Sequence, residues 1–370
     1  MATIAISRPS LPNLDKLKAV LGSPRVQVAG AAVLFAICAF VVVVLLGPAT
    51  GKPIRIHLNS VFDQAPKGWR EGLPPASMVW QSEDVLHLSD GPQAAAAGPQ
   101  AVVSPELAAA GGSLPQAPIA GFFAPGPGGP LPIIAQDGRT PFQAYARPFS
   151  SNGRPKVALV IGGLGLNARA TQAAILTLPP QITLSFVVYT EGLQGWIDMA
   201  RAHGHEVLLE TPMEPLDYPD NDPGPYTLMA EGAGPETAKK LDWILSRASG
   251  YFALTNYLGS RFLADDKAYE SFLGAVRGRG LGFIDDGSAS RRTGGGVPRA
   301  SAERVIDDQL SQTAIDEQLL KLEASALEHG QALGSGFAYP VTLDKVARWA
   351  QTVEQRGYQL APASALAVKK

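Results

Sequence analysis

Residues 156–178 read KVALVIGGLGLNARATQAAILTL, and the two halves of this stretch have different periods. KVALVI (156–161) is a short apolar run that stops at glycines, as a strand buried on both faces does. Beyond Asn167, a suitable N-cap, ARATQAAILTL spaces its apolar residues as one face of a helix. Strand, glycine turn and helix begin a parallel α/β unit, and the pattern then repeats. ITLSFVVY (182–189), EVLLE (206–210), YFALTN (251–256), LGFIDD (281–286) and ALGSGF (332–337) read as strands. Helical patterns run near 192–202, 236–248, 265–279, 313–328 and 343–356, and YQLAPAS (358–364) supplies one strand more. Strands separated by helices of this length pair in parallel, with the helices packed outside. Such a series makes either an open doubly wound sheet or a closed barrel, and in both the functional groups collect at the strand C-terminal ends.

Working outward toward the start of the chain, the texture changes. QAAAAGPQAVV (93–103), ELAAAGGSLPQAP (106–118) and FFAPGPGGPLP (122–132) are rich in Ala, Pro and Gly without a sustained period, which reads as a tether. Val28–Leu46, VAGAAVLFAICAFVVVVLL, carries no charge and has the length of a membrane-crossing helix. Lys16, Lys18 and Arg25 precede it with only Asp15 opposing, so the positive-inside rule keeps the N-terminus cytoplasmic. A cleaved signal peptide is the rival reading, with Gly47-Pro48-Ala49 after the apolar run, although the run is longer than a usual signal core. The expected organisation is a cytoplasmic segment (1–27), a single-pass anchor (28–46), a disordered tether (47–155) and a folded domain (156–370). The expected location is the inner membrane, with the domain in the periplasm.

Composition narrows the partners. The net charge is −2 and no block of Lys and Arg forms a phosphate-binding footprint, which excludes a nucleic-acid partner on electrostatic grounds. The only cysteine, Cys38, lies inside the apolar run, so the exported part forms no internal disulfide and depends on its own core. GGLGLNA lacks the G-x-G-x-x-G spacing of a dinucleotide turn.

The strand ends, in order, are Gly162-Gly163-Leu164-Gly165, Glu210 with Glu214, Asn256-Tyr257, Asp285-Asp286 and Phe337-Ala338-Tyr339. After the third strand runs LETPMEPLDYPDNDPGPYTL (209–228), with five prolines and five carboxylates, a rigid acidic loop at a strand end. IGGLG, GHEVLLETPMEPLDYPDNDPGPYTL, TNYLGSRF, FIDDGS and GFAYPVTL resemble the successive motifs of the divergent polysaccharide deacetylase family, a branch of the NodB-like deacetylases. The resemblance covers roughly 156–366, and PMEPLDYPDNDPGP is its most specific part. It implies a distorted (β/α) barrel and a carbohydrate site. It also exposes departures, because the family motifs typically read IDDLG, LLHLPMEP, NNHMGS, FLDS and GHPHP. Gly162 and Gly163 stand where the aspartate pair belongs, Glu210 and Tyr257 replace histidines, and Phe337 and Tyr339 occupy the two late histidine positions.

A catalytic zinc takes about three ligands from His, Asp, Glu or Cys and keeps one position open for water. Glycine, phenylalanine and tyrosine do not supply them, so the expectation is no metal cofactor and no deacetylase activity. Three readings of the remaining groups follow. Glu210, Glu214 and Asp285 are the candidates for a rearranged hydrolytic site, or with Asp286 for an oxygen-ligand cation site. Glu210, Glu214, Asn256, Tyr257, Arg261, Asp285 and Tyr339 are the candidates for ligand binding, with Phe337, Tyr226 and Trp196 as further aromatic lining suited to a sugar ring. The plainer alternative is that the acids begin turns and accept backbone N–H groups, while the aromatics fill a vacated hole. None of the five histidines falls at a strand C-terminal end, and His203 and His205 precede EVLLE at the opposite end. The expected role is a glycan-binding or protein-binding module of the cell envelope without catalysis. The alternatives are a deacetylase or other hydrolase with a rearranged carboxylate site, and a structural partner of a membrane or cell-wall complex.

Overall fold

The computed structural model describes residues 112–232 and 234–369. The 28–46 segment and the tether up to residue 111 lie outside the described residues; among the described residues no helix is long and apolar enough to cross a membrane.

The folded part opens with a hairpin of β1 (Phe123–Pro125) and β2 (Pro130–Pro132) and a short helix α1 (Pro141–Tyr145). The α/β series follows: β3 (Lys156–Leu164), α2 (Ala168–Thr177), β4 (Thr183–Val187), α3 (Leu193–Ala202), β5 (Val207–Met213), α4 (Pro235–Leu245), β6 (Ala253–Leu258), α5 (Asp266–Gly278) and β7 (Gly282–Asp285). It ends with β8 (Pro298–Ser301), β9 (Arg304–Val305), α6 (Gln312–His329), β10 (Gln331–Phe337), α7 (Pro340–Val353), β11 (Gln359–Leu360) and β12 (Val368–Lys369). The expected strands and helices are present within a few residues. The Asn167 side chain caps α2 by accepting from the Ala170 amide, and Asp265 and Ser311 cap α5 and α6 in the same way.

β3 to β8 pair in sequence order, all parallel, and β10 pairs parallel with the other edge of β3. β8 and β9 are two parts of one extended segment; the first part pairs with β7 and the second with β10. The ring of pairings therefore closes through a broken strand, and the arrangement fits a distorted (β/α) barrel. Alternation along each strand sorts the core into two layers. Val157, Leu159, Ile161, Leu184, Phe186, Leu209, Leu254 and Phe283 face the helices. Ala158, Val160, Leu208, Ala253, Ile284 and Leu333 face inward.

The inward layer is completed by chain that composition assigns to the tether. Residues 112–155 belong to the folded unit: Ala117, Phe122 and Tyr145 pack in the inner cluster and Leu131 in the outer one. The fully buried Arg201, at the end of α3, donates to the carbonyls of Pro115, Tyr145 and Gly250 and so ties this strap down. Burial lowers its pKa to about 10, which leaves it charged at neutral pH. Glu206, buried at the foot of β5, accepts from the Arg147 and Ser364 amides and the Thr183 hydroxyl, joining strap, barrel and C-terminal tail. The tether boundary expected at residue 155 is thus too late, because a few anchoring side chains in a Pro- and Gly-rich stretch suffice to bury it.

Candidate functional site

Parallel strands put all their C-terminal ends on one face, and alternation fixes which side chains enter the mouth there. Gly162, Ser185, Glu210 and Thr255 form the last inward layer, and along β3, β5 and β6 they stand two residues beyond the inward Val160, Leu208 and Ala253. β3 carries one extra residue against β4 at Gly162-Gly163, between the pairs Ile161 with Leu184 and Leu164 with Phe186. This bulge needs glycine: Gly163 has φ +72, the left-handed region that side chains rarely adopt. It turns the Gly163 amide into the barrel.

Glu210 answers that amide. Its Oε1 accepts from the Gly163 N–H at 2.7 Å and from the Ser185 hydroxyl at 3.1 Å. A Cβ on Gly162 would lie 3.0 Å from the same oxygen, and one on Gly163 would lie 3.2 Å from the Phe337 ring. The carboxyl from β5 and the phenyl from β10 therefore occupy the room that two β3 side chains would need. Burial raises the Glu210 pKa to about 7, against the two hydrogen bonds that favour the carboxylate.

The other candidate acids are engaged elsewhere. Glu214 accepts from the Ala230 amide and pairs with Arg261 at 2.9 Å, and Arg261 also holds Glu231 at 2.6 Å. These contacts pin the acidic loop, and Tyr226 secures its far end by stacking on Trp243 with centroids 3.5 Å apart. Asp285 points away from the barrel interior. It pairs with Arg299 at 2.8 Å, accepts from Ser301 and caps the turn through the Gly287 and Ala289 amides. Asn256 accepts from the Asp286 amide and donates to the Leu258 carbonyl, which is a turn-forming role. Glu210, Glu214 and Asp285 thus each have different partners, and the acids do not converge as a cation-ligand set among the described residues. Trp196 and Tyr226 pack against the outer core, not in the mouth.

Tyr257, Phe337 and Tyr339 are the candidates that the structure leaves at the mouth, each roughly two-fifths exposed. One participant escaped the sequence reading. Asp307, buried just after β9, accepts from the Phe337 amide at 2.7 Å and the Thr342 hydroxyl at 2.9 Å, holding the turn that presents Phe337 and Tyr339. Burial raises its pKa. The signal was VIDD (305–308), an apolar pair before acids as in FIDD, but the strand is too short to be seen by its period. His205 is buried between the Ile182 and Ile175 carbonyls at the opposite end of β5, as expected from its place in the sequence. A cavity of about 430 Å³ opens on the flank where β8 and β10 part, lined by Arg299, Ser301, Gln331, Leu333, Leu366 and Val368, and none of the mouth residues reaches it.

Among the described residues no three His, Cys, Asp or Glu side chains converge as a metal-ligand set. The zinc that the motif resemblance implies does not fit this mouth: glycines and aromatics stand at the ligand positions, and Glu210 Oε1 fills the space beside Gly162.

Comparison with known proteins agrees with the motifs. Residues 159–367, more than half of the chain, match the family described as divergent polysaccharide deacetylase. A solved structure of an uncharacterized protein from Agrobacterium tumefaciens C58 superposes with a TM-score of 0.61 at 37% identity, covering 64% of this chain and 99% of that one. An uncharacterized Haemophilus influenzae protein is 21% identical over 199 residues, 52% of this chain and 70% of its own length. The uncharacterized Escherichia coli protein YibQ is 22% identical over 213 residues, 56% of this chain and 64% of its own length.

Proposed function

We propose, for a chain that belongs to the divergent polysaccharide deacetylase family, that the barrel mouth binds its ligand without hydrolysing it, as a glycan- or protein-binding module of the cell envelope. The observation that carries this reading is the Glu210 carboxyl seated on the Gly163 amide, in the room where β3 would present acidic side chains. Amide hydrolysis needs an activated water and a group to move protons to the leaving amine. Glu210 offers one titratable carboxyl, and no metal-ligand set stands beside it among the described residues. Binding needs less: Tyr257, Phe337 and Tyr339 give apolar faces, and the loop after β5 is held rigid by Glu214 and Arg261.

The test is made on the full chain, purified in detergent. Metal analysis is expected to find no stoichiometric zinc, and acetylated amino-sugar oligomers are expected to remain uncleaved with or without chelator. If the ligand is a glycan, Tyr257→Ala weakens its binding about tenfold through the lost ring contact, without unfolding the domain. Chelator-sensitive release of acetate would overturn the binding reading and restore the hydrolase.

A further inference from the structure

The rim of the mouth is more apolar, and more acidic, than a sugar site requires. Leu166 and Leu216 follow β3 and β5 and are 71% and 74% exposed, on the same face as Tyr257, Phe337 and Tyr339. Single exposed leucines are ordinary, but here two share one rim with three exposed aromatics. A sugar ring uses flat aromatic faces and edge hydrogen bonds; a leucine offers neither, and suits an apolar side chain instead.

Charge gives the second half of the pattern. Glu191 after β4 and Asp217, Asp220 and Asp222 after β5 are all exposed, and none forms an ion pair with another described residue. Arg261, on the adjoining loop, is committed to Glu214 and Glu231. Exposed Arg169, Lys267 and Arg291 are the cations that follow the β3, β6 and β7 ends, and the four exposed acids after β4 and β5 outnumber them. The acidic loop is also preorganised. Its ends are fixed by Glu214 and by the Tyr226 stack, the Leu216 amide donates to the Ser260 hydroxyl, and four prolines stiffen the span 215–225. Little ordering cost remains to be met on binding.

We propose that the mouth docks a segment of a partner polypeptide carrying apolar side chains flanked by lysine or arginine. The proposal rests on the non-hydrolytic reading of the mouth and chooses between the two ligand classes that reading allows. Apolar side chains of the segment pack against Leu166, Leu216 and Tyr339, and its cations lie along Asp217, Asp220 and Asp222, which steers association and fixes orientation.

The experiment selects displayed random peptides on the immobilised full chain in detergent and measures the enriched ones by fluorescence anisotropy. Enriched peptides are expected to combine large apolar residues with Lys or Arg, and their affinity to fall as salt rises. Leu216→Ser is expected to weaken them by roughly tenfold, and the triple change Asp217→Asn, Asp220→Asn, Asp222→Asn by a similar factor together with loss of the salt dependence. Both sets of side chains are exposed, so the unfolding midpoint is expected to stay put and a folding defect is separable. Enrichment without a basic preference, or affinities indifferent to both variants, would overturn the docking proposal. Tyr257-dependent binding of glycan oligomers without peptide enrichment also removes it, yet leaves the binding module standing. Zinc-dependent turnover removes both.

Discussion

Glu210 is buried on the inner face of β5, accepts two hydrogen bonds at one oxygen, and forms no ion pair among the described residues. Loss of hydration therefore outweighs the hydrogen bonds, and the carboxyl keeps its proton up to about pH 7, against a usual 4.5. In the unfolded chain the proton leaves near the lower value. Between the two, the folded state binds more protons than the unfolded one, so stability falls as pH rises through that window and stays low above it. The shift corresponds to on the order of 3 kcal/mol at one pKa unit per about 1.4 kcal/mol. Glu210→Gln keeps an acceptor for Gly163 and Ser185 but cannot ionise. Urea unfolding at about pH 5 and pH 8 is expected to show wild type losing more stability than the variant between the two, by that order of magnitude. Parallel losses would mean that the carboxyl is solvated. The residue itself was legible in the sequence as a strand-end acid in a histidine position. Its partner was not, because a glycine amide turned inward by a bulge leaves no mark except the glycines.

At the scale of elements, the legible parts were those whose side chains repeat with a period. β3, β4, β5, β6, β7 and β10 and the helices α2 to α7 each carry a long enough apolar face to declare themselves. β8 and β9 do not: PRAS and RV are short, charged and only partly buried, yet they close the ring. The strap 112–155 is hidden in the sequence for a different reason. Composition averages over a stretch, whereas burial there depends on a handful of anchors, Leu114, Phe122, Leu131, Tyr145 and Arg147. Each large apolar side chain of this kind contributes about 1.5–3 kcal/mol when fully buried. Without the strap, Arg201 would keep only the Gly250 carbonyl of its three partners, leaving a buried guanidinium largely unsatisfied. A fragment beginning at residue 112 is expected to unfold in one cooperative urea transition. One beginning at residue 152 is expected to lose that transition or move it to much lower urea. Equal midpoints for the two fragments would show that the strap is a passenger.

For the whole molecule, the parallel strands set the direction of the mouth, and the first described residues mark the other end. The Leu114 amide bonds the Arg201 carbonyl at the end of α3, beside the N-terminal ends of the strands, so the described chain enters on the face opposite the mouth. The strand C-terminal ends lie on the other face, and the setting we propose for the domain is a membrane surface. The sequence argument for that surface is Val28–Leu46, an uncharged run long enough to cross a bilayer as a helix, preceded by Lys16, Lys18 and Arg25. With Cys38 the only cysteine, the domain beyond the run carries no thiol and needs no disulfide to stand in an oxidising compartment. A phosphatase reporter fused after Lys370 folds only outside the cytoplasm, and is expected to be active; a reporter that matures only in the cytoplasm is expected to be silent at the same position. Replacing Phe35, Ala36 and Ile37 by lysines places three charges at the centre of the run, at a cost of several kcal/mol for insertion. That variant should silence the phosphatase and switch on the cytoplasmic reporter. If the unaltered chain already gave cytoplasmic activity, neither an anchor nor a signal peptide could be assigned to residues 28–46, and the envelope setting of the binding module would fall with them.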